Sequence, residues 1–289
     1  MIDGLRHIFK RHPHVFDRRL LASPQTLFGS ALVYDQIDDK GDLVRFLSVN
    51  GLKESATYLD DRWNELVFDY TKRYNLMFAA GIPLNRVLMM GGGGYSYPKY
   101  LISHRGDVAM DVVEVDSAIT NLAREFFFLD RLEKEYGAQA SGRLRLTCDD
   151  GRSFAENLAA DAHGVRYDAV LNDSFAAGVP APPLTTVEAA RAVHGCLVPN
   201  GLYLSNVVSA CRGSQARFLH AEVKTLARVF RHVHVVPCDA NGLEHMRDNL
   251  MVIATDGSFR FPGERAVVPL PGTPVLSDAY NPVQDLIDW

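Results

Sequence analysis

From residue 81 onward the chain repeats one pattern, an apolar strand followed by a turn and a helix. This alternation restricts the possible folds of the chain more than any other sequence feature. The first strand, Arg86-Val-Leu-Met-Met90, leads directly into Gly91-Gly92-Gly93-Gly94. Further apolar segments follow at residues 108–116, 144–148, 167–173 and 202–208. Near-continuous apolar strands that alternate with helices are typical of a parallel sheet covered on both faces. We therefore predict an α/β fold with a doubly wound, mostly parallel sheet, in which residues 232–255 form an antiparallel edge.

The region before residue 81 has a different pattern. Short strand-like segments occur at residues 31–34, 43–49 and 52–58, and Asn50-Gly51 between the last two is a strong hairpin signal. Apolar residues at helical spacing follow between residues 63 and 78, and again between 119 and 132. We predict two units: residues 1–80, an N-terminal antiparallel β meander with a linking helix, and residues 81–289, a Rossmann-like catalytic domain.

Charge and apolar content exclude several classes of partner. The formal net charge is −5, without long single-sign runs, which disfavours a nucleic-acid groove or an anionic membrane surface. No apolar run is long enough to span a bilayer, and residues 1–19 carry no apolar signal segment. The four cysteines are scattered, and no cluster of metal ligands is evident. We expect a cytoplasmic protein without nucleic-acid, membrane or metal partners.

Polar residues at the strand ends predict a nucleoside site. Glu114 ends the second strand, 23 residues after Gly91, where a carboxylate can accept hydrogen bonds from ribose hydroxyls. The third strand runs into Asp150-Gly151, where a carboxylate can either accept the amino group of adenine or cap a turn. The glycine run leaves room for close approach of a ligand. We predict that the nucleoside lies against Gly91, Gly92, Gly93, Glu114, Asp150 and Gly151.

The fourth strand adds a further acid at the same edge. It ends in Asp173-Ser174, and the Gly- and Pro-rich residues 175–183 that follow suit a lid over a pocket. Three of the first four strands thus finish in a carboxylate. Repeated acids at one sheet edge suit a ligand with fixed positive charge, such as a sulfonium. The sequence therefore favours an S-adenosylmethionine-type donor.

The order of these motifs resembles that of the spermidine synthase (polyamine aminopropyltransferase) family, in its divergent bacterial members. The resemblance rests on residues 87–94, Glu114-Val-Asp116, Asp150-Gly151, residues 167–174, 197–201 and 275–283, and, less closely, on Asn50-Gly51, Glu54 and Trp63-Asn64-Glu65. It implies a class I methyltransferase-like fold, usually a homodimer. It also implies transfer of an aminopropyl or related alkyl group from S-adenosylmethionine or decarboxylated S-adenosylmethionine to a small-molecule amine.

The resemblance also implies roles for individual residues. Asp173 would be the catalytic base or orienting group for the incoming amine. Glu114 would hold the ribose and Asp150 the adenine, while Asp173, Ser174 and Asn64 would complete the donor site. Since the sulfonium is already a good leaving group, such an enzyme mainly positions the reactants and removes a proton from the nucleophile.

The chain departs from the family pattern at four positions. Gly94 stands where the family has the aspartate that holds the donor's amino group, and Ala176 stands where it has a second acid after the catalytic one. Trp63 and Asn64 replace the tyrosine and glutamine of the amine-side motif. Since an unpaired buried ammonium costs several kcal/mol, these changes impair binding of the usual donor and acceptor.

Three interpretations follow from these departures. In the first, a nearby acid such as Glu54, Glu65 or Asp116 substitutes, or the alkyl-transfer substrate is different. In the second, the chain is a methyltransferase that uses intact S-adenosylmethionine on the same fold. In the third, it binds a nucleoside without catalysis, although the presence of Asp173 and Ser174 beside the lid argues against that.

Overall fold

The structure is a computed structural model that describes residues 18–176 and 178–287, except for the side chain of Ala176. Most of residues 1–19, for which the sequence predicts no apolar signal segment, lie outside these ranges. The strands of the described residues are β1 (Arg19–Ala22), β2 (Gln25–Thr26), β3 (Gly29–Ile37), β4 (Leu43–Val49), β5 (Leu52–Tyr58), β6 (Arg86–Met90), β7 (Ala109–Glu114), β8 (Leu144–Cys148), β9 (Tyr167–Asn172), β10 (Phe175–Ala176), β11 (Val179–Pro180), β12 (Leu197–Ser209), β13 (His232–Pro237) and β14 (Asp248–Thr255).

Helices of the described residues fill most of the connections after β5. The α-helices are α1 (Asp69–Lys72), α2 (Ser96–His104), α3 (Ser117–Phe126), α4 (Leu129–Tyr136), α5 (Gly151–Ala160), α6 (Val187–Cys196), α7 (Arg217–Leu226) and α8 (Val283–Ile287). The 3-10 helices are Arg73–Ala80, Pro182–Leu184 and Ser214–Ala216. None of the helices in the described ranges is long and apolar enough to cross a membrane.

The central sheet has seven strands in the order β13-β14-β12-β9-β6-β7-β8. Strands β12, β9, β6, β7 and β8 run parallel, whereas β14 is antiparallel to both β12 and β13. The predicted mostly parallel sheet with an antiparallel edge is therefore confirmed. From β6 the chain proceeds outward through β7 to β8 and then returns to β9 on the other side of β6. The strand order thus reverses between β6 and β9, which is where ligands bind in open sheets.

The predicted N-terminal meander is also confirmed. Strands β1, β3, β4 and β5 pair antiparallel in that order, and β2 pairs with β3. One face of this sheet, including Val33 and Leu47, packs into the same apolar core as Val87 and Met89 of β6. The meander is thereby fixed against the central sheet, and β5 lies beside the glycine run, where Gly94 N donates to Ser55 Oγ at 2.7 Å. The boundary at residue 80 stays a prediction.

The helix predicted for residues 63–78 is wrong in its first part. Helical structure begins only at Asp69, and it continues as a 3-10 helix from Arg73. The carbonyl of Trp63 instead accepts hydrogen bonds from Thr57 Oγ1 at 2.9 Å and from Lys99 Nζ at 3.3 Å. Because side chains from other elements satisfy this carbonyl, the segment does not need a helical ladder. Tertiary contacts therefore override the apolar spacing.

The single helix predicted between residues 119 and 132 is interrupted. Helices α3 and α4 are separated at Phe127 and Phe128, and Phe128 has a left-handed φ of 64°. The buried Lys99 donates its Nζ to the Phe127 carbonyl at 2.7 Å. Burial lowers the pKa of Lys99 to about 7, and its three oxygen partners connect β5, the loop after β5 and this break. The consecutive aromatic residues 126–128 therefore pack into the core where the chain turns between α3 and α4.

Candidate functional site

The glycine run brings the ends of β6 and β9 into contact. The backbone of Gly91 has a φ of +89°, and a Cβ added there would lie 2.5 Å from the carbonyl oxygen of Asp173. A hydrogen bond from Asp173 N to Met90 O at 2.9 Å holds these two strand ends together, and one from Gly91 N to Val113 O, also 2.9 Å, fixes the start of the glycine run to β7. Only glycine permits this approach, since a side chain would clash in a strained backbone. The predicted loop and the predicted catalytic acid therefore meet at the reversal of strand order.

Glu114 lies buried beneath the glycine run. Its Oε2 accepts hydrogen bonds from Gly92 N at 2.8 Å and Gly93 N at 3.3 Å, and its Oε1 accepts from Asp116 N at 2.9 Å. Burial raises the pKa of this carboxyl, and the three backbone donors partly offset the rise. Because a carboxylate has about four acceptor sites, capacity remains for a ligand hydroxyl.

Asp150 caps α5 and also borders the cavity. Its Oδ1 accepts from Ser153 N at 2.8 Å, which is the cap, while Gly151 and Ser174 line the same space. The capping interpretation of Asp150 is therefore confirmed. Its second oxygen accepts no hydrogen bond from the described residues and is left for a donor such as the adenine amino group.

Two adjoining cavities open at this edge of the sheet. The first, here called the nucleoside cavity, has a volume of about 350 Å³ and includes Glu114, Asp150, Gly151 and Ser174 in its wall. The turn between β2 and β3 and the segment predicted as a lid also line it. The second, here called the amide-lined cavity, has a volume of about 270 Å³. The two cavities share Glu54, Gly91, Gly93, Asp173 and Phe175.

Asp173 stands at the junction of the two cavities. Asn206 Nδ2 donates to its Oδ1 at 3.0 Å, and the Tyr70 hydroxyl donates to its Oδ2 at 3.3 Å. Burial raises the pKa of the Asp173 carboxyl, and these hydrogen bonds offset part of the rise. A buried, oriented carboxylate with a raised pKa suits a general base working near neutral pH.

Glu54 faces Asp173 across the same junction. Burial, together with the charge of Asp173, raises the pKa of Glu54 to about 7. No hydrogen-bond donor of the described residues contacts its carboxylate, and Glu54 lines both cavities. Two carboxylates that meet in one partly dehydrated space repel each other unless a cation or a proton lies between them. The junction therefore favours either a bound cation or a proton held by one of the two carboxylates.

Changing Glu54 to glutamine is expected to stabilise the protein at alkaline pH. The folded-state pKa of about 7 exceeds the reference value of 4.5, so the native state keeps a proton that the unfolded chain releases, and stability falls as pH rises through that window. We expect Glu54→Gln to raise the free energy of unfolding by about 1–3 kcal/mol at pH 8.5 and to change it little at pH 4.5. Denaturant unfolding at both pH values measures this.

The matched control is Glu125→Gln, which makes the same acid-to-amide change at an exposed position on α3. It is expected to shift stability by no more than about 0.5 kcal/mol at either pH. Equal stability differences for Glu54→Gln at the two pH values would show that Glu54 ionises freely and is not confined by Asp173.

Of the predicted residues, Asn64 is the one that lines neither cavity. It lies in the non-helical segment before α1, next to Trp63, whose ring packs edge-on against Phe128 at 6.0 Å. The predicted donor contact of Asn64 is therefore not supported by its place in the fold. Trp63 is buried in the core, so this segment is anchored by packing against Phe128.

Two of the three acids considered as substitutes also lie elsewhere. Glu65 Oε1 is 2.9 Å from Nε2 of His104 and is partly exposed. Asp116 caps α3 through Ala118 N at 2.9 Å and accepts from Leu27 N at 2.7 Å. Neither Glu65 nor Asp116 lines either cavity, which leaves Glu54 as the substitute that reaches the junction.

Sequence reasoning missed Tyr70 and Asn206, the two side chains that orient Asp173. Tyr70 lies within the apolar helical spacing of residues 63–78, and Asn206 lies within the apolar segment 202–208, so neither pattern indicates a role at a site. The one usable signal is Ser205-Asn206, a polar pair inside the otherwise apolar segment 202–208. In the described residues, no three His, Cys, Asp or Glu side chains come together as metal ligands.

Comparison with solved structures and with a family model identifies the class of protein that has this fold. A solved structure described as a probable spermidine synthase from Corynebacterium glutamicum superposes with a TM-score of 0.67, at 23% identity, over 83% of this chain and 81% of that one. The class I methyltransferase-like fold with an N-terminal meander is thereby confirmed. Residues 77–251 match the family model of the spermine/spermidine synthase domain, so the chain belongs to that family.

Curated relatives agree with this membership. The polyamine aminopropyltransferase 2 of Hyperthermus butylicus is 29% identical over 62% of this chain, and the polyamine aminopropyltransferase of Vibrio vulnificus is 26% identical over 66% of it. The matches span 54% and 64% of the relatives' own lengths.

Proposed function

We propose that this chain is a transferase that moves an aminopropyl group from decarboxylated S-adenosylmethionine to an amine acceptor. The observation that carries the proposal is the meeting of two cavities at Asp173 and Glu54. A donor in one cavity and an acceptor in the other would bring the reacting atoms together between two carboxylates. The aminopropyltransferase relatives support the same reaction.

The nucleoside cavity supplies groups for each part of the donor. The free oxygen of Asp150 would accept the adenine amino group, and Glu114 would accept a ribose hydroxyl, while Ile119 and Leu184 give apolar walls. The sulfonium would then lie at the junction, where Asp173 and Glu54 supply negative charge. Since a sulfonium cannot lose its charge, paired acids favour it over a neutral product.

In the reaction, the lone pair of the acceptor nitrogen attacks the methylene carbon bonded to sulfur. The new C–N bond forms as the C–S bond breaks, and the bonding electrons go to sulfur, which leaves as the neutral thioether of methylthioadenosine. Asp173 takes the proton that the acceptor nitrogen loses. Hydrogen bonds from Tyr70 and Asn206 fix the direction in which that carboxylate points.

Glu54 would replace the family's acid at position 94. A Cβ added to Gly94 would lie 2.8 Å from Cβ of Ser55 and 3.1 Å from Cδ1 of Phe127, so this position has no space for a carboxylate. Glu54, on the strand that blocks that space, projects into the junction instead. We infer that it pairs with the ammonium of the donor's aminopropyl chain. A small-molecule acceptor, a homodimer and a cytoplasmic location stay predictions that accompany this function.

Calorimetric titration tests the proposal. Decarboxylated S-adenosylmethionine and methylthioadenosine are expected to bind, and intact S-adenosylmethionine to bind at least about 10-fold more weakly, because its carboxylate would face Glu54 and Asp173. Glu54→Gln should weaken the decarboxylated donor but not methylthioadenosine, which has no ammonium group. Preference for the intact donor would favour the methyltransferase alternative, and binding of none of the three would refute the nucleoside site.

A further inference from the structure

We infer that the acceptor is a short amine with a single ammonium group, and not a diamine. The inference rests on the proposed aminopropyl transfer and specifies its substrate class. It follows from the distribution of charge along the amide-lined cavity. The two carboxylates of that cavity, Glu54 and Asp173, both stand at the junction.

Beyond the junction the described wall of this cavity offers no further acid. It continues with Leu52, Val208 and the amides of Asn206 and Asn249. The remaining charged side chain of this wall is Lys53, a cation. An amine that extends from Asp173 into this space therefore meets apolar and neutral groups, while the Nζ of Lys53 lies 4.0 Å from the centre of the Phe46 ring.

The charges at the junction are already assigned in the proposed reaction. Glu54 pairs with the ammonium of the donor, and Asp173 serves the reacting nitrogen of the acceptor. A second ammonium on the acceptor would remain without a partner in a confined space, and its desolvation would oppose binding. A neutral far end, such as a methyl or hydroxyl group, carries no such penalty.

The amide of Asn206 gives a specific place for one amino group. Its Nδ2 donates to Asp173, whereas its Oδ1 is buried and has no hydrogen-bond partner among the residues that the structure describes. A buried acceptor atom without a partner is uncommon in native structures and points to a ligand donor. One N–H of the acceptor amine can bond to Oδ1 of Asn206 while Asp173 accepts another. Asn206 thus acts as a positioning residue for a single nitrogen.

The outer rim is the neighbouring surface that shares Lys53, Tyr70 and Asn249 with the amide-lined cavity. Its acids do not provide a partner for the second ammonium of a short diamine. Asp69 is bound to Lys72 at 2.7 Å, and Asp239 and Asp248 are exposed. Lys53, Lys72 and Arg73 line the same outer space and balance these three acids. Solvent and neighbouring cations screen the rim acids, so they contribute little to the affinity for a second ammonium.

An acceptor panel tests the inference. The release of methylthioadenosine from decarboxylated S-adenosylmethionine is measured with butylamine, 4-aminobutan-1-ol, 1,4-diaminobutane and spermidine at one pH. We expect kcat/KM for butylamine or the amino alcohol to exceed that for either polyamine at least about 10-fold. Higher kcat/KM for a polyamine would overturn the inference and leave the proposed transfer standing. Donor binding without release of product with any of these amines would instead refute the transfer, and the acceptor inference with it.

A gain-of-function variant makes the test independent of the wild-type rates. Asn249→Asp places a carboxylate in the wall beyond the junction without a change of size. It should raise kcat/KM for 1,4-diaminobutane relative to butylamine at least about 10-fold, because the second ammonium gains a partner. Asn241→Asp makes the same change on the outer rim and should leave this ratio unaltered. An unchanged ratio in a folded Asn249→Asp variant would contradict the inference.

Discussion

Changing Asp173 to asparagine is expected to lower kcat by about 10²–10⁴-fold, the usual contribution of a positioned general base. An asparagine has nearly the same shape, and its oxygen can accept from Asn206 Nδ2 while its amide nitrogen faces the Tyr70 hydroxyl. The arrangement at 3.0 and 3.3 Å would therefore persist, and only the basic group would be lost. Rapid measurement of methylthioadenosine release, with the acceptor at saturation, gives the effect on kcat.

The control for this variant is Glu65→Gln, an equal change in an acid that pairs with His104 outside the cavities. It should leave kcat within about twofold of the wild type. The affinity of Asp173→Asn for methylthioadenosine should also stay unchanged, which separates loss of the base from loss of the site. A kcat for Asp173→Asn near that of wild type would show that Asp173 is not the base.

The strands and the predicted acids were accessible from the sequence because each is a local pattern. An apolar run followed by glycine or aspartate identifies a parallel strand and its carboxyl end, and the ends of β6, β7, β8 and β9 all lie where this pattern predicts. The meander was equally clear from Asn50-Gly51 and the alternation on either side of it.

The errors arose where distant residues decide the backbone. No sequence pattern near Trp63 predicts that Thr57 and Lys99 donate hydrogen bonds to its carbonyl. No pattern near Phe127 predicts the hydrogen bond from Lys99 Nζ to the Phe127 carbonyl. The orienting hydrogen bonds on Asp173 come from residues 103 positions before it and 33 positions after it. Contacts of such long sequence separation exist only once the sheet has formed, so they are invisible to patterns of spacing.

The absence of an acid at position 94 is a property of the packing as well as of the sequence. Ser55 fills the space where a side chain at position 94 would point and accepts the Gly94 N–H at 2.7 Å. The same strand presents Glu54 to the junction. Strand β5 therefore leaves no space for an acid at position 94 and supplies Glu54 in its place. A substitution at position 54 or at position 94 alone does not reverse this replacement.

Changing Gly94 to aspartate is consequently expected to destabilise the protein by about 3 kcal/mol or more instead of restoring the family's donor site. Overpacking costs about 1–3 kcal/mol, and burying an additional carboxylate adds to it. Gly94→Ala adds only the Cβ, which meets Ser55 at 2.8 Å, so the difference between the two variants gives the cost of the carboxylate group, its volume and its charge together. Denaturant unfolding of both variants measures these values.

The paired variant Gly94→Asp with Ser55→Gly decides whether packing is the cause. Removing the Ser55 side chain leaves the contact with Phe127 at 3.1 Å as the nearest obstacle, so at least half of the lost stability should return. If Gly94→Asp alone were as stable as wild type and released methylthioadenosine faster, space for the acid would exist. The donor site would then be that of the family without its acid at position 94, and Glu54 would not replace that acid. If Gly94→Asp is destabilised and the paired variant recovers stability, the packing of β5 determines which acid the donor contacts.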